Sequence, residues 1–288
     1  MDIVTRYPIA SVAFVCNRRS EKVEGLKRAM RQWFEGRGVP CAFFAYDCSA
    51  EELLNGAARA DIVIVLGGDG SIVSVARKLA AAPKPIIGVN FGRVGFLAEI
   101  SPDFWESAFS RMLEQGVAID KSLSLSYALI RGGETVLTGL AVNDLVVSRG
   151  GPARLVSLAL TVDDMRLAVL RADGLIVASP TGSTGYTGSA RGPLLYPGLN
   201  AYAVTAICPF MSNFSPLVLD CETRFSITVD EAGSEIYLTV DGQESLEVST
   251  GDTLKVCGKR DGILFARIDT EGYFAKLRST GFVRDFSQ

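Results

Sequence analysis

The chain has 288 residues, of which 48% are hydrophobic and 21% are charged, so it can form a substantial core. Its formal net charge of −3 comes without a polybasic run, which argues against nucleic acid or an anionic membrane as a partner. Histidine is absent, which excludes a histidine general base and any histidine-ligated metal. A general base must therefore be Asp, Glu, Lys, Tyr or Cys.

The start of the chain and the cysteines indicate a cytoplasmic protein. Residues 1–15 lack the regions of a signal peptide, and no stretch has the roughly 18 uncharged apolar residues of a membrane span. The six cysteines form no Cys-x-x-Cys pair, so we expect buried free thiols rather than zinc ligands or disulfides.

The first part of the chain alternates strand and helix patterns, beginning with a strand. The continuous apolar run Asp61–Leu66 is typical of a strand that is buried on both faces. This alternation predicts a parallel sheet covered by helices. The predicted elements are Ser11–Cys16, Glu21–Arg37, Cys41–Tyr46, Ala50–Arg59, Asp61–Leu66, Ser71–Ala82, Ile86–Val89 and Pro102–Gln115.

From about Asp120 short strand-like runs follow one another, with turns such as Arg131–Glu134 and Asp163-Asp164 between them. We therefore predict an α/β domain at residues 1–119 and a β-rich domain at 120–270. A carboxyl-terminal segment at 271–288 fits neither pattern and is a candidate to return to the first domain. The predicted strands are Ser122–Ile130, Glu134–Leu140, Asn143–Ser148, Leu155–Val162, Arg166–Leu170, Leu175–Ala178, Ala201–Cys208, Arg224–Asp230, Glu235–Val240, Thr253–Val256 and Ile263–Ile268.

The turn Gly67–Gly70, with the sequence Gly-Gly-Asp-Gly, follows a predicted strand and leads into a helix. Its glycines let the backbone approach a ligand closely, and the helix amino terminus offers free N–H groups, which suits phosphate. It is not a P-loop, because the Gly-Lys-Ser/Thr ending is missing. It is also a poor dinucleotide fingerprint, because Val73 stands where the third Gly or Ala belongs.

Asp69 is the unusual residue of this turn, because a carboxylate beside phosphates is repelled unless something compensates for its charge. Magnesium can compensate, or the carboxylate can accept a proton from an attacking hydroxyl. Alternatively, Asp69 can simply cap the helix, since Asp is common at helix starts. The turn alone does not separate a cap from a catalyst.

A second glycine-rich loop, Gly88–Leu97, follows the next predicted strand and contains Gly92 and Gly95. In a parallel sheet, loops that follow neighbouring strands lie at the carboxyl edge, where ligands bind. Two adjacent loops of this kind strengthen the prediction of a phosphate site.

The β-rich part has two further candidate segments. The hydroxyls and glycines of Asp173–Ser189 can bind a ribose or a base, and Tyr186 can stack on an aromatic ring, although an ordinary Gly/Ser/Thr loop has the same composition. Asn143-Asp144 opens a predicted strand. It can recognise an amide or a ribose, or form a β-turn.

Taken in order, five motifs resemble the ATP-dependent NAD kinase family, although the first alone is shared with lipid kinases and phosphofructokinases. The resemblance implies a phosphofructokinase-like α/β domain with a parallel sheet, followed by a β-rich domain. It implies transfer of the γ-phosphoryl group of ATP to the 2′-hydroxyl of the adenosine ribose of NAD, which gives NADP. That reaction needs Mg²⁺, carried by the nucleotide phosphates. The family also suggests a homodimer or homotetramer. The motifs are Gly67–Gly70, Gly88–Leu97, Asn143-Asp144, Asp173–Tyr186 and Asp241–Gln243.

The resemblance also implies residue roles. Asp69 is implied to be the general base, Tyr186 to stack on adenine, and Arg171 to favour oxidised NAD over NADH. No protein residue is implied to be a metal ligand. The residues implied to bind NAD are Asp69, Gly70, Asn143, Asp144, Arg154, Arg171, Asp173, Thr184, Gly185, Tyr186, Thr187, Gly188, Ser189 and Gln243. Those implied to bind phosphate are Gly67, Gly68, Gly70, Gly92 and Gly95.

The sequence departs from the family pattern at Ser71, Gly185 and Arg191, and the segment Pro209–Pro216 lacks the His and the Arg that the family has there. Two other functions are therefore considered: a kinase of the same superfamily with a lipid or sugar acceptor, and a non-catalytic NAD-binding protein. The segment Thr181–Tyr186 and Asn143-Asp144 argue against a lipid or sugar acceptor.

Overall fold

The protein is described by a computed structural model that covers residues 5–16, 21–91, 95–151, 154–211, 214–231, 235–268 and 273–282. The chain divides into two compact units, residues 1–121 with 263–288 and residues 122–262. Within the described ranges, no helix combines the length and the apolar character that a membrane span requires.

The first unit is an α/β structure around a parallel sheet. The four central strands lie in the order β2-β1-β3-β4, and β5 pairs with the carboxyl end of β4. All these pairs are parallel, so the predicted parallel sheet is confirmed. The elements are β1 (Val12–Cys16), α1 (Glu21–Glu35), β2 (Cys41–Ala45), α2 (Ala50–Gly56), β3 (Ile62–Leu66), α3 (Asp69–Lys78), β4 (Pro85–Val89), β5 (Ala98–Ile100), α4 (Trp105–Gln115) and α6 (Tyr273–Ser279).

Helices cover the sheet of the first unit because every side chain of β1 and β3 is buried, so neither face can remain in water. On one face, Phe14 and Leu66 pack in a cluster with Phe34 of α1 and Phe109 of α4. On α3, Ile72 and Val75 are buried, and this helix contacts β3 and β4. The apolar runs read from the sequence therefore form the core.

Several predicted boundaries in this unit are wrong, and α1 and α2 end earlier than predicted, at Glu35 and Gly56. Helix α4 begins at Trp105 rather than Pro102, because the N–H groups of Asp103 and Phe104 bind Ser101 in a separate turn. Helix α3 begins at Asp69 rather than Ser71. It ends at Lys78, after which hydrogen bonds between residues three apart replace the helical pattern. Strand β5 was not predicted, since its three residues are too few to show a period.

The second unit is β-rich, as predicted, and its strand pairs are antiparallel. One sheet has the order β13-β12-β11-β8-β15-β16, and other strands pair in the order β10-β9-β14-β17. Strands β6 and β7 form a hairpin. The strands are β6 (Ala118–Arg131), β7 (Glu134–Ala141), β8 (Asp144–Arg149), β9 (Val156–Val162), β10 (Met165–Ala172), β11 (Gly174–Ala178), β12 (Ala201–Ile207), β13 (Leu217–Asp220), β14 (Phe225–Glu231), β15 (Ile236–Val240), β16 (Glu244–Val248) and β17 (Thr253–Arg267).

Two-residue turns close two hairpins of this unit at the predicted places. Gly132 and Gly133 connect β6 to β7, and Asp163 and Asp164 connect β9 to β10. All four residues have positive φ, between 45° and 87°, which matches the right-handed twist of the paired strands. Strand β16 was not predicted, because four of its five side chains are exposed and its sequence therefore shows no apolar face.

Candidate active site

The glycine turn of the first unit joins β3 to α3. Gly68 is the residue that caps α3, with an extended backbone, and Asp69 is the first residue of the helix. The interpretation of Asp69 as the helix cap is therefore wrong, and its side chain is engaged elsewhere.

The Asp69 carboxylate accepts hydrogen bonds from three consecutive main-chain N–H groups. Phe96 donates to Oδ2 at 2.7 Å, and Leu97 and Ala98 donate to Oδ1 at 3.2 and 3.0 Å. Such bonds fix the position of a carboxylate. The side chain is half-buried, so it is not sealed from solvent.

Gly95 makes this arrangement possible. A Cβ atom at residue 95 would lie 2.3 Å from both carboxylate oxygens of Asp69, a distance that no real side chain tolerates. The two glycine loops therefore meet at the carboxyl ends of the neighbouring parallel strands β3 and β4, as their sequence predicted. Gly92, the other predicted phosphate ligand of this loop, lies outside the described residues.

The second unit has its own carboxylate of this kind. Asp241 is only 8% exposed, and it accepts hydrogen bonds from the N–H groups of Val142, Asn143 and Asp144 at 2.7–3.1 Å. These bonds fix the main chain where β8 begins. Asn143 lies in the bend before that strand, and its side-chain Oδ1 is buried without a partner in the described part of the chain.

Asp144 is the first residue of β8 and is 7% exposed. Burial raises the pKa of its carboxyl to about 7, and the nearby charge of Asp241 acts in the same direction. The Asp144 carboxyl can therefore take up or release a proton near neutral pH.

The predicted loop between Thr181 and Ser189 is not irregular. It contains a 3-10 helix, Gly182–Thr184, and a short helix α5, Tyr186–Ser189, because main-chain bonds such as Gly185 N–H to Gly182 O wind it into turns.

This helical segment is bound to the start of β8. Ser179 donates its hydroxyl to the carbonyl of Val142 at 2.5 Å, and a Cβ atom at Gly182 would lie 2.1 Å from the Asn143 carbonyl oxygen. Thr187 is fully buried, and its hydroxyl has no hydrogen-bond partner among the described residues, whereas Tyr186 is 46% exposed. The second unit therefore brings Asn143, Asp144 and the Thr184–Ser189 segment together.

The remaining predicted site residues of this unit stand apart from that cluster or at its surface. Asp173 pairs with Arg149, whose Nε lies 2.7 Å from its Oδ1. The side chains of Arg154, Arg171 and Gln243 are exposed.

Two residues were missed as parts of the site. Asp241 holds Asn143 and Asp144 in place, and Arg149 orients Asp173. The Asp-Gly-Gln motif at Asp241–Gln243 could have indicated the role of Asp241. No motif in the sequence indicates the role of Arg149, which lies at the end of an apolar strand.

Comparison with known proteins identifies the family of this chain. A model of the ATP-NAD kinase C-terminal domain matches residues 142–267, and a model of the N-terminal domain matches residues 51–117. An NAD kinase of Nitratidesulfovibrio vulgaris (strain DP4) is 44% identical over 279 residues, which covers 97% of this chain and 93% of that protein. The chain belongs to the ATP-NAD kinase family. It is therefore a phosphotransferase, and the prediction of a kinase rather than a non-catalytic binding protein is confirmed.

Further relatives agree with this family. The NAD kinase of Oleidesulfovibrio alaskensis is 46% identical over 256 residues, which covers 89% of this kinase and 87% of that protein. A solved NAD kinase from Archaeoglobus fulgidus, in complex with ATP, has a TM-score of 0.73 at 26% identity and covers 93% of this chain and 96% of its own.

The yeast NADH kinase complexed with NADH has a TM-score of 0.82 at 21% identity, covering 97% of this chain and 90% of that chain. At this identity the likeness shows the fold alone. The predicted fold class, an α/β domain followed by a β-rich domain, is confirmed.

Proposed function

We propose that this kinase transfers the γ-phosphoryl group of ATP to the 2′-hydroxyl of the adenosine ribose of NAD, with Asp69 as the general base. The observation that carries the role of Asp69 is its half-buried carboxylate, fixed by three N–H groups at the glycine turn. A proton acceptor that is held in a fixed position is what a hydroxyl nucleophile requires, and the chain has no histidine for this task.

The proposed phosphoryl transfer needs one general base. The ribose 2′-oxygen forms a bond to the γ-phosphorus as its proton passes to a carboxylate oxygen of Asp69. The bond between the γ-phosphorus and the bridging oxygen breaks, and ADP leaves with that oxygen. The glycines of the turn, Gly67, Gly68 and Gly70, with Gly95, are proposed to let phosphate oxygens approach the main chain.

NAD is proposed to bind the second unit at Asn143, Asp144 and the Thr184–Ser189 segment. The support is a pair of buried polar atoms in this cluster, Asn143 Oδ1 and Thr187 Oγ1, which have no hydrogen-bond partner within the described ranges. Buried polar atoms are costly to leave without a hydrogen bond. Tyr186 has the exposed ring that stacking on adenine needs. The roles of Arg154, Arg171, Asp173 and Gln243 toward NAD also remain proposals.

Mg²⁺ is proposed to bind to the phosphates of the nucleotide. In the described ranges, no three His, Cys, Asp or Glu side chains cluster as ligands for a metal. Mg²⁺ commonly binds through substrate phosphates with one or two carboxylates, and it is proposed to arrive with ATP. When bound, the metal neutralises charge on the phosphates. A cytoplasmic location and a homodimer or homotetramer stay predictions.

The test is an acceptor comparison with the purified protein and Mg-ATP. NADP formation from NAD is expected to be fast relative to phosphorylation of NADH, diacylglycerol or fructose 6-phosphate. Phosphorylation of a lipid or sugar without NADP formation would overturn the acceptor. Equal rates with inorganic polyphosphate in place of ATP would overturn ATP as the specific donor.

A further inference from the structure

The carboxyl-terminal helix α6 contacts the segment that holds Asp69. Lys276 of this helix donates a hydrogen bond from Nζ to the main-chain oxygen of Phe96 at 3.0 Å, and it pairs with Glu99 at 3.0 Å. The side chains of Lys276 and Glu99 are 12% and 14% exposed. The lysine charge is therefore largely withdrawn from water and directed at this segment.

Lys276 and Asp69 bind opposite ends of one peptide group. The carbonyl of Phe96 and the N–H of Leu97 belong to the same peptide, and that N–H donates to Asp69 Oδ1 at 3.2 Å. A cation at the oxygen of a peptide polarises the group and makes its N–H a stronger donor. The Phe96–Leu97 peptide group thus connects the lysine charge to the carboxylate.

Further contacts fix the same short segment. Glu99 follows Ala98, whose N–H also donates to Asp69, and Glu99 is bonded in turn to Arg267, which reaches Asp120.

Aromatic contacts hold the other end of the segment. The Phe96 ring meets Phe282 edge-on, with ring centroids 5.4 Å apart, and lies 6.5 Å from the ring of Tyr273.

The buried ion pair of Lys276 and Glu99 is by itself weak evidence for a stabilising role, because the cost of desolvating two charges offsets their attraction. The convergence on the Asp69 donors points to a role in catalysis.

We propose that Lys276 is a positioning residue that holds the Phe96–Ala98 main chain in the geometry that orients and stabilises the charged Asp69 carboxylate. This inference rests on the proposed function of Asp69 as the general base. Removing the Lys276 charge loosens the Phe96 carbonyl and weakens the Leu97 donor. The carboxylate is then less well fixed and less favoured in its charged form.

The test compares the full pH–rate profiles of Lys276→Met, Lys276→Arg and the wild type. Lys276→Met is expected to lower kcat about 10-fold, with the KM for NAD unchanged within twofold, because the base and not the binding cluster is disturbed. The acid limb of its profile is expected to move to higher pH by about half a unit or more. Lys276→Arg keeps the charge and donors and is expected to restore most of kcat.

Lys84→Met is the matched control, since Lys84 also donates to two main-chain oxygens of the first unit, those of Ala58 and Ala60. It is expected to lower the melting temperature without moving the acid limb. Should Lys276→Met fail to fold, Lys276→Gln removes the charge but keeps an N–H donor, and the same shift of the acid limb is expected.

A wild-type acid limb in a folded Lys276→Met or Lys276→Gln protein would overturn the inference. The parallel variant Asp69→Asn separates the two levels of the account. If Asp69→Asn keeps its turnover, the proposed base is wrong. If it is inactive while the acid limb of the Lys276 variants stays in place, only the role of Lys276 is wrong.

Discussion

Each of the two units has an aspartate whose carboxylate accepts three consecutive main-chain N–H groups, and the two sites differ mainly in exposure. Asp69 is half-buried at the start of a helix, whereas Asp241 is 8% exposed in a turn with φ of 53°. The donors are Phe96, Leu97 and Ala98 for Asp69, and Val142, Asn143 and Asp144 for Asp241.

The comparison separates two uses of one hydrogen-bond pattern. Three N–H donors orient a carboxylate and compensate its charge in either place. In the buried site the carboxylate serves the main chain, since it satisfies donors that water does not reach. In the more open site the same bonds leave a carboxylate that solvent can approach. Accessibility, rather than the number of hydrogen bonds, distinguishes the proposed base from the structural aspartate.

The largest effect on stability is expected when the buried carboxylate is removed. Asp241→Ala leaves the N–H groups of Val142, Asn143 and Asp144 without their acceptor. We expect the free energy of unfolding to fall by about 3 kcal/mol, measured by denaturant titration. NAD affinity is expected to fall as well, because the start of β8 loses its anchor.

Asp220→Ala is the control for this prediction. Its carboxylate accepts one N–H group, that of Glu222, in an exposed turn of the same unit. Its effect is expected to stay within about 0.5 kcal/mol. Equal losses in the two variants would contradict the special role of the buried site.

An effect on stability that depends on pH is expected at Asp144. Its pKa is about 7 in the folded protein and 3.8 without the fold. Between these values the folded state keeps a proton that the unfolded state has released, so this group lowers stability as pH rises from about 4 to 7. Asp144→Asn removes the titration. We expect it to be more stable than the wild type at pH 8 and similar in stability to the wild type at pH 4.

Unfolding of Asp164→Asn provides the comparison for Asp144. Asp164 lies exposed in the turn after β9 and pairs with Arg224 at 3.1 Å. Its substitution is expected to change stability by less than about 1 kcal/mol at either pH. If Asp144→Asn showed no gain on going from pH 4 to pH 8, the raised pKa of Asp144 would be wrong.

Much of this arrangement is readable from the sequence, for identifiable physical reasons. The strands β1 and β3 are continuous apolar runs, and Gly67–Gly70 stands directly after one of them, so the edge that carries Asp69 follows from topology. The bonds of Asp69 to Phe96, Leu97 and Ala98 could not be predicted, because they join residues that are 27 to 29 positions apart in the sequence.

The same limit applies in the second unit and at the carboxyl terminus. Asp241 reaches the start of β8 across 97 to 99 positions, and Lys276 reaches Phe96 across 180. Periodicity reports only local structure, so contacts of this range leave no pattern in it. Motif resemblance supplied residue roles for Asp69 and Asn143, but it did not supply the partners that position them.

The rate of NADP formation by the Asp69→Asn variant tests most directly whether Asp69 is the general base, and Asp61→Asn is the matched control. Asp61 is also an aspartate of the first unit that accepts main-chain N–H groups, those of Ala10 and Ser11, but it precedes β3 rather than following it. With Mg-ATP and NAD, the folded Asp69→Asn protein is expected to lose about 10²- to 10⁴-fold in turnover, while Asp61→Asn keeps wild-type turnover. Turnover of Asp69→Asn within a few-fold of the wild type would contradict the role of Asp69 as the base.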